Sequence, residues 1–185
     1  MAARTWIVVG TALLALVGCG GSPGADGATD PVVLRAATLV AGQPLPTATG
    51  APLLTVTGLT TADGTGAVSL HRSTLDRLTQ VELRTYEPWL KRDLTFRGVW
   101  LTDALAVAGA GTPGSVRITA LDDYTVDLTG AELAAGGILL ATGDGTGAVL
   151  PVGDGGPTRI VFQDGARAGQ NADQWIWSLR TIDVR

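Results

Sequence analysis

Three groups of side chains in this chain could take part in chemistry. The run Tyr86-Glu87-Pro88-Trp89 sets two aromatic rings around a carboxylate and a proline. Aromatic rings exposed in a loop are stacking surfaces, although Trp89 could equally plug the core beneath a loop. Glu87 could accept hydrogen bonds from a ligand, and the common fate of a lone loop carboxylate is solvation. Asp122-Asp123-Tyr124 places two carboxylates beside a phenol at a strand turn. There Asp either caps its own backbone or faces a ligand. The third group is the guanidinium donors Arg84, Arg97 and Arg159. Arg159 precedes the apolar run Ile160-Val161-Phe162, and a buried arginine must be paired, by a salt bridge or by a ligand.

Other chemistries lack their residues. The chain has one His and one Cys. That leaves no structural zinc site, no Cys–His nucleophile pair and no internal disulfide. No recognisable motif sets a Ser or Cys beside His71, so a catalytic triad has no support. Thr142-Gly143-Asp144-Gly145-Thr146-Gly147 superficially resembles a phosphate loop, but it lacks the Lys and the following helix and reads as a hairpin turn. Asp144 and Asp154 lie in Gly-rich turns without the spacing of a calcium loop. Acidic residues exceed basic ones, 17 to 13, for a net charge of -4, which argues against a nucleic-acid partner. With 45% hydrophobic and 16% charged residues, the 185-residue chain has the composition of one folded domain plus a tail.

The elements that must carry these groups follow from periodicity. Leu53 to Thr57 reads as a strand ending at Gly58, and Val68 to Leu70 as another after the turn Ala62 to Gly66. Ser73 resembles an N-cap with Asp76 three residues on, and Leu75 and Leu78 share one helix face. Val81, Leu83 and Thr85 alternate with Glu82, Arg84 and Tyr86 as in a strand. Phe96 to Trp100 is extended. Thr102 to Ala108 is a helix ended by Gly109, with Leu101, Leu105 and Ala108 facing the core. Val116 to Leu121, Tyr124 to Leu128, Ile138 to Thr142 and Thr158 to Gln163 read as strands, and Ala131 to Ala135 as a helical turn. Trp175 to Val184 reads as a final strand with Trp175 and Trp177 on one face, covered on both sides. The expected fold is α+β and mainly β, with short helices.

Residues 1–18 read as a signal: Arg4, then an apolar run from Trp6 to Val17 that is too short to span a membrane. Leu16-Val17-Gly18-Cys19 resembles a bacterial lipoprotein box, with Cys19 as the lipidation site and the alternative an ordinary secretory signal. Residues 19–50 read as the lipidated Cys and a flexible tether, in which Pro31 to Leu34 could be a first strand. Residues 51–185 read as the domain. The expected location is the cell envelope, extracytoplasmic (periplasmic or on the outer surface), anchored by lipid.

Four segments resemble, in order, a known family. Phe96-Arg97-Gly98-Val99-Trp100-Leu101-Thr102-Asp103-Ala104-Leu105, followed by Ala108-Gly109, is similar to "F-x-G-V-x-L-x-D-x-L…A-G" of the oxidoreductase molybdopterin-binding domain, the sulfite oxidase fold. Ala120 to Leu128 resembles its "A-x-D-G-Y-x-V-x-L/I" strand pair, with Asp123 where the family prefers Gly. Gly156-Pro157-Thr158-Arg159-Ile160-Val161-Phe162 resembles "G-P-L-R-L-V-x-P", and Trp175 to Val184 the closing "W-V-K-x-I-x-x-I-x-V".

The resemblance implies a pterin site. Enzymes of the family bind molybdenum through two pterin thiolates and one protein Cys, a soft donor set. That Cys would fall around Leu83 to Thr85, where this chain has none. The resemblance therefore points away from catalysis and towards the cysteine-less branch: pterin-binding lipoproteins, some thought to pass pterin levels to membrane-bound cyclic-di-GMP enzymes. The implied ligand is a pterin, or a molybdopterin without protein-ligated molybdenum. The implied binding residues are Arg84, Thr85, Tyr86, Trp89, Asp122, Asp123, Tyr124 and Arg159, with no catalytic and no metal-ligating residue. The implied partners are the pterin-like molecule, the membrane through its lipid anchor, and a membrane-bound signalling protein. A molybdopterin-dependent oxidoreductase and an interaction lipoprotein with an empty pocket remain alternatives.

Overall fold

The computed structural model describes residues 30–62 and 64–185. The segment expected to be a signal, the expected lipidation site Cys19 and the expected tether as far as residue 29 lie outside the described residues. Among the described residues no helix is long and apolar enough to cross a membrane.

The chain forms β1 (Val32–Arg35), β2 (Leu54–Thr61), β3 (Gly64–Leu70), α1 (Arg72–Leu75), β4 (Gln80–Glu87), β5 (Arg92–Trp100) and α2 (Leu101–Val107). It continues through β6 (Ser115–Ala120), β7 (Thr125–Thr129), α3 (Gly130–Ala135), β8 (Ile138–Asp144), β9 (Arg159–Phe162) and β10 (Leu179–Val184). The strands make two five-stranded sheets, ordered β1-β4-β5-β8-β9 and β3-β2-β10-β6-β7. Every pairing is antiparallel except β2 with β10, where Val56 stands opposite Ile182. The architecture is mainly β with few short helices, as the pattern of short alternating segments predicts.

One hydrophobic core joins the two sheets and the helices. Val56, Ile118, Leu128 and Ile182 of one sheet and Leu83, Val99, Leu140 and Ile160 of the other are fully buried. Leu101, Leu105 and Ala108 seal α2 against that core, as their spacing predicts. α3 begins with a capping box in which Thr129 accepts from the Glu132 amide and Glu132 accepts from the Thr129 amide.

Several elements differ from the sequence expectation, each for a physical reason. The fold begins before residue 51. β1 pairs with β4, and Leu39 is buried, so residues 32–39 contribute to the folded body where a tether is expected. The short Val32-Val33-Leu34 run supplies the ladder groups that an edge of the first sheet would otherwise leave open. β2 continues through Gly58, which sits at φ 72 where the register against β3 shifts between Val56 and Leu59. Gly58 is thus a bulge inside the strand, not its end. α1 starts after His71, which makes no side-chain cap, and Ser73 is its second residue instead of its N-cap. The alternation of β4 runs on to its end, so Tyr86 and Glu87 belong to the strand and not to a loop.

The final strand begins only at Leu179. Ser178 takes φ 52, and Trp175 to Ser178 bond irregularly: the Ile160 amide donates to the Ile176 carbonyl and the Ser178 amide to the Gly155 carbonyl. Leu179 and Ile182, three apart, are both buried because the register against β6 shifts between Leu179 and Thr181. A strict two-face alternation from Trp175 to Val184 therefore does not hold.

Candidate functional site: an aromatic pocket between three turns

Three turns meet at one end of the fold. The first follows β4 and carries Trp89. The second joins β6 to β7 and carries Asp122, Asp123 and Tyr124. The third is a single 3-10 turn, Ala172–Gln174, followed by the irregular Trp175–Ser178 segment. Together they form an open pocket of about 390 Å³ lined by Trp89, Ala120, Asp122, Tyr124, Asp173, Trp175 and Trp177.

The walls are held by backbone-directed hydrogen bonds. The Trp89 indole N–H donates to the Ala172 carbonyl at 3.1 Å, and the Tyr124 hydroxyl donates to the Asp173 carbonyl at 2.8 Å. Two rings from distant parts of the chain thus fasten the same 3-10 turn. Asn171 caps that turn by accepting from the Asp173 amide at 3.0 Å. Gln174 ties it to the body, accepting from the Gly169 amide and donating to Glu132. The Asp122 carboxylate accepts from the Tyr124 amide at 3.1 Å, which shapes the β6–β7 turn. Asp123 stands at φ 68, in the left-handed region, and pairs with Arg180. Its backbone explains why a Gly would serve there equally well.

The floor differs from the walls. Trp175 is 6% exposed, packs edge-on to Phe162 at 5.4 Å and donates its indole N–H to the Gly169 carbonyl. Trp177 presses against the backbone of Gly155, where a Cβ would meet its ring at 2.9 Å. Gly155 also has φ 85, so any side chain there would displace the ring. The Arg159 guanidinium lies over the Trp177 ring, 4.4 Å from its centroid, and over the Phe96 ring at 5.0 Å.

Arg159 and Glu87 form a buried ion pair. Arg159 Nη2 donates to Glu87 Oε1 at 2.6 Å, and the two side chains are 1% and 0% exposed. Burial pulls the Arg159 pKa below the ordinary guanidinium range, and the hydrogen bond and charge of Glu87 oppose it. The second Glu87 oxygen accepts from the Leu90 amide at 2.6 Å and so folds the turn that presents Trp89. Arg159 Nε, Trp177 Nε1 and Thr158 Oγ1 are buried without a protein partner.

The eight binding residues expected from the resemblance therefore divide. Trp89, Asp122 and Tyr124 meet in one pocket. Arg84 points away to solvent and pairs with Asp93 at 3.0 Å across the β4–β5 ladder. Thr85 is buried, and its one hydroxyl proton lies between two acceptors, the Phe162 carbonyl and the Asp164 carboxylate, each 2.7 Å from Oγ1. Tyr86 faces a second cavity of about 280 Å³ with Pro88, Phe162 and Asp164. Asp123 turns outward to Arg180, and Arg159 is sealed beneath Trp177 by Glu87. Glu87 is no solvated loop group: inward alternation on β4 places it opposite the arginine.

Sequence reasoning left out Asp173, Trp175 and Trp177 as site residues. The signal was present in Trp175-Ile176-Trp177, where a strand assignment hid it, and in the turn-capping Asn171-Ala172-Asp173, which lies just before that strand. Among the described residues no three His, Cys, Asp or Glu side chains are placed to hold a metal ion. No protein-family model matches the chain, and no curated protein matches it.

Proposed function

We propose that this chain is a lipid-anchored, extracytoplasmic binding protein whose aromatic pocket holds a flat pterin-type heterocycle without chemical turnover. In this reading the domain is of the sulfite oxidase molybdopterin-binding type and reports occupancy to a membrane-bound signalling partner. The anchor rests on Leu16-Val17-Gly18-Cys19 and the ligand class on the four family-like segments.

The observation that carries the reading is the convergence of Trp89, Tyr124 and Trp177, from three separate turns, on one cavity with Asp122 and Asp173. A volume of about 390 Å³ lies within the usual range for small-ligand sites, roughly 300–1,000 Å³. Aromatic faces stack on a planar ring, and carboxylates accept from the 2-amino and N3 protons of a pterin edge. Leu83 and Thr85, where the family's cysteine would fall, are buried away from this cavity, and neither supplies a thiolate. The ring-binding part of a cofactor fits these residues; a protein ligand for its metal does not.

The test is a titration with neopterin. Three of the five tryptophans line the cavity, so indole fluorescence reports its occupancy. Saturable quenching is expected. Trp89→Ala should weaken binding by roughly 5- to 150-fold, in line with about 1–3 kcal/mol for a stacked ring. Arg84→Ala, away from the cavity, should leave the affinity unchanged. Absence of saturable binding would overturn the reading.

A further inference from the structure

The hydrogen-bonding inventory of the pocket is one-sided. Its lining contains two carboxylates, Asp122 and Asp173, and no Lys, Arg or His. The Asp173 carboxylate makes no hydrogen bond or ion pair among the described residues; only its backbone amide and carbonyl are engaged. Asp122 commits one oxygen to the Tyr124 amide and leaves the other open. The donors are already used: the Trp89 and Trp175 indoles and the Tyr124 hydroxyl each donate to a backbone carbonyl. The one uncommitted side-chain donor of the lining, Trp177 Nε1, is buried.

The neighbouring cations do not alter this balance. Arg180 is held by Asp123 outside the cavity. Arg159 is fully buried and neutralised by Glu87, with the Trp177 ring against it. The open end of the pocket therefore presents acceptors, negative charge and aromatic faces, which attract cations and N–H edges and repel anions.

We infer that the site takes an uncharged or cationic heterocycle that donates hydrogen bonds, and rejects the phosphorylated forms of the same ring system. The inference rests on the binding function proposed above and narrows its ligand. It separates this pocket from a molybdopterin site, because a phosphate is best held by basic side chains, and this lining offers two carboxylates and no Lys, Arg or His.

The experiment compares neopterin with neopterin monophosphate by calorimetry on the purified protein, at low and at physiological salt. Neopterin should bind at least about tenfold more tightly, and the gap should narrow as salt screens the carboxylates. The Asp122→Asn, Asp173→Asn double variant keeps the turn geometry of both positions and should bring the phosphate form closer to neopterin. Equal or tighter binding of the phosphate form would overturn the charge selectivity while leaving the pterin reading intact. If neither compound binds, both fall.

Discussion

Glu87 on β4 and Arg159 on β9 meet at 2.6 Å although two strands, β5 and β8, separate theirs in the sheet. Thr85 makes the same crossing by donating to the Phe162 carbonyl at 2.7 Å. The first sheet therefore curls until its second and last strands approach, and the ion pair sits inside the curl against Phe96. Right-handed twist accumulating over successive strands permits this closure. The pair has a positional consequence as well, because Glu87 also accepts from the Leu90 amide and so sets the turn bearing Trp89.

Removing one member of this pair leaves an uncompensated charge in the core. Glu87→Ala should therefore lower the unfolding free energy by about 3–5 kcal/mol, measured by denaturant titration. The Glu87→Leu, Arg159→Met double variant should recover most of that loss, because apolar groups of similar size need no partner. A single variant as stable as the parent would show that the pair is not buried as described.

Asp123 supplies a separate test of backbone conformation. At φ 68, Asp123→Gly relieves the strain of a side chain in the left-handed region but loses the exposed pairing with Arg180. The two effects should nearly cancel, within about 0.5 kcal/mol. Asp123→Ala loses the pairing and keeps the strain, and should be less stable than Asp123→Gly by about 1 kcal/mol. Thermal melts of the two variants decide it; the reverse order would sink the argument.

Acid should unfold the protein through specific carboxylates. Burial raises the Glu132 pKa, but bonds from the Thr129 amide and hydroxyl and from Gln174 outweigh it, for a net fall below the ordinary 4.5. A hydrogen bond from Arg185 holds Asp183 below its ordinary 3.8, and one from Thr146 does the same for Asp144. A carboxyl depressed in the folded state contributes stability above its unfolded value and loses it as pH falls through the folded value. Asp103, raised by burial alone, works in the opposite direction. The midpoint of thermal unfolding should thus fall steadily below about pH 4.5, and Glu132→Gln should flatten the upper part of that decline. A midpoint that stayed level from pH 5 to pH 3 would exclude this account.

Much of the fold was legible in the residues because local patterns decided it. The alternation of Val81, Leu83 and Thr85 marked β4, and the spacing of Leu101, Leu105 and Ala108 marked the buried face of α2. The site was legible only in part. Trp89, Asp122 and Tyr124, singled out by their types and turn context, line one pocket, whereas Arg84, five positions before Trp89, faces solvent because alternation on β4 turns Leu83 and Thr85 inward. Trp177 was assigned to a regular strand since nothing local announces that Ser178 takes a positive φ.

The sequence by itself determined what depends on neighbours along the chain: strand periodicity, helix faces, turn chemistry, the acidic balance and the absence of a cysteine at Leu83 to Thr85. Tertiary structure alone decided which distant turns share a cavity and which charges are hidden. Glu87 became a buried counter-ion only because the sheet curls to bring Arg159 against it, and Asp173 entered the pocket because Trp89 and Tyr124 fasten its turn. Such pairings join residues about 50 to 85 positions apart, beyond the reach of any local pattern, and are set by how the two sheets close on their shared core.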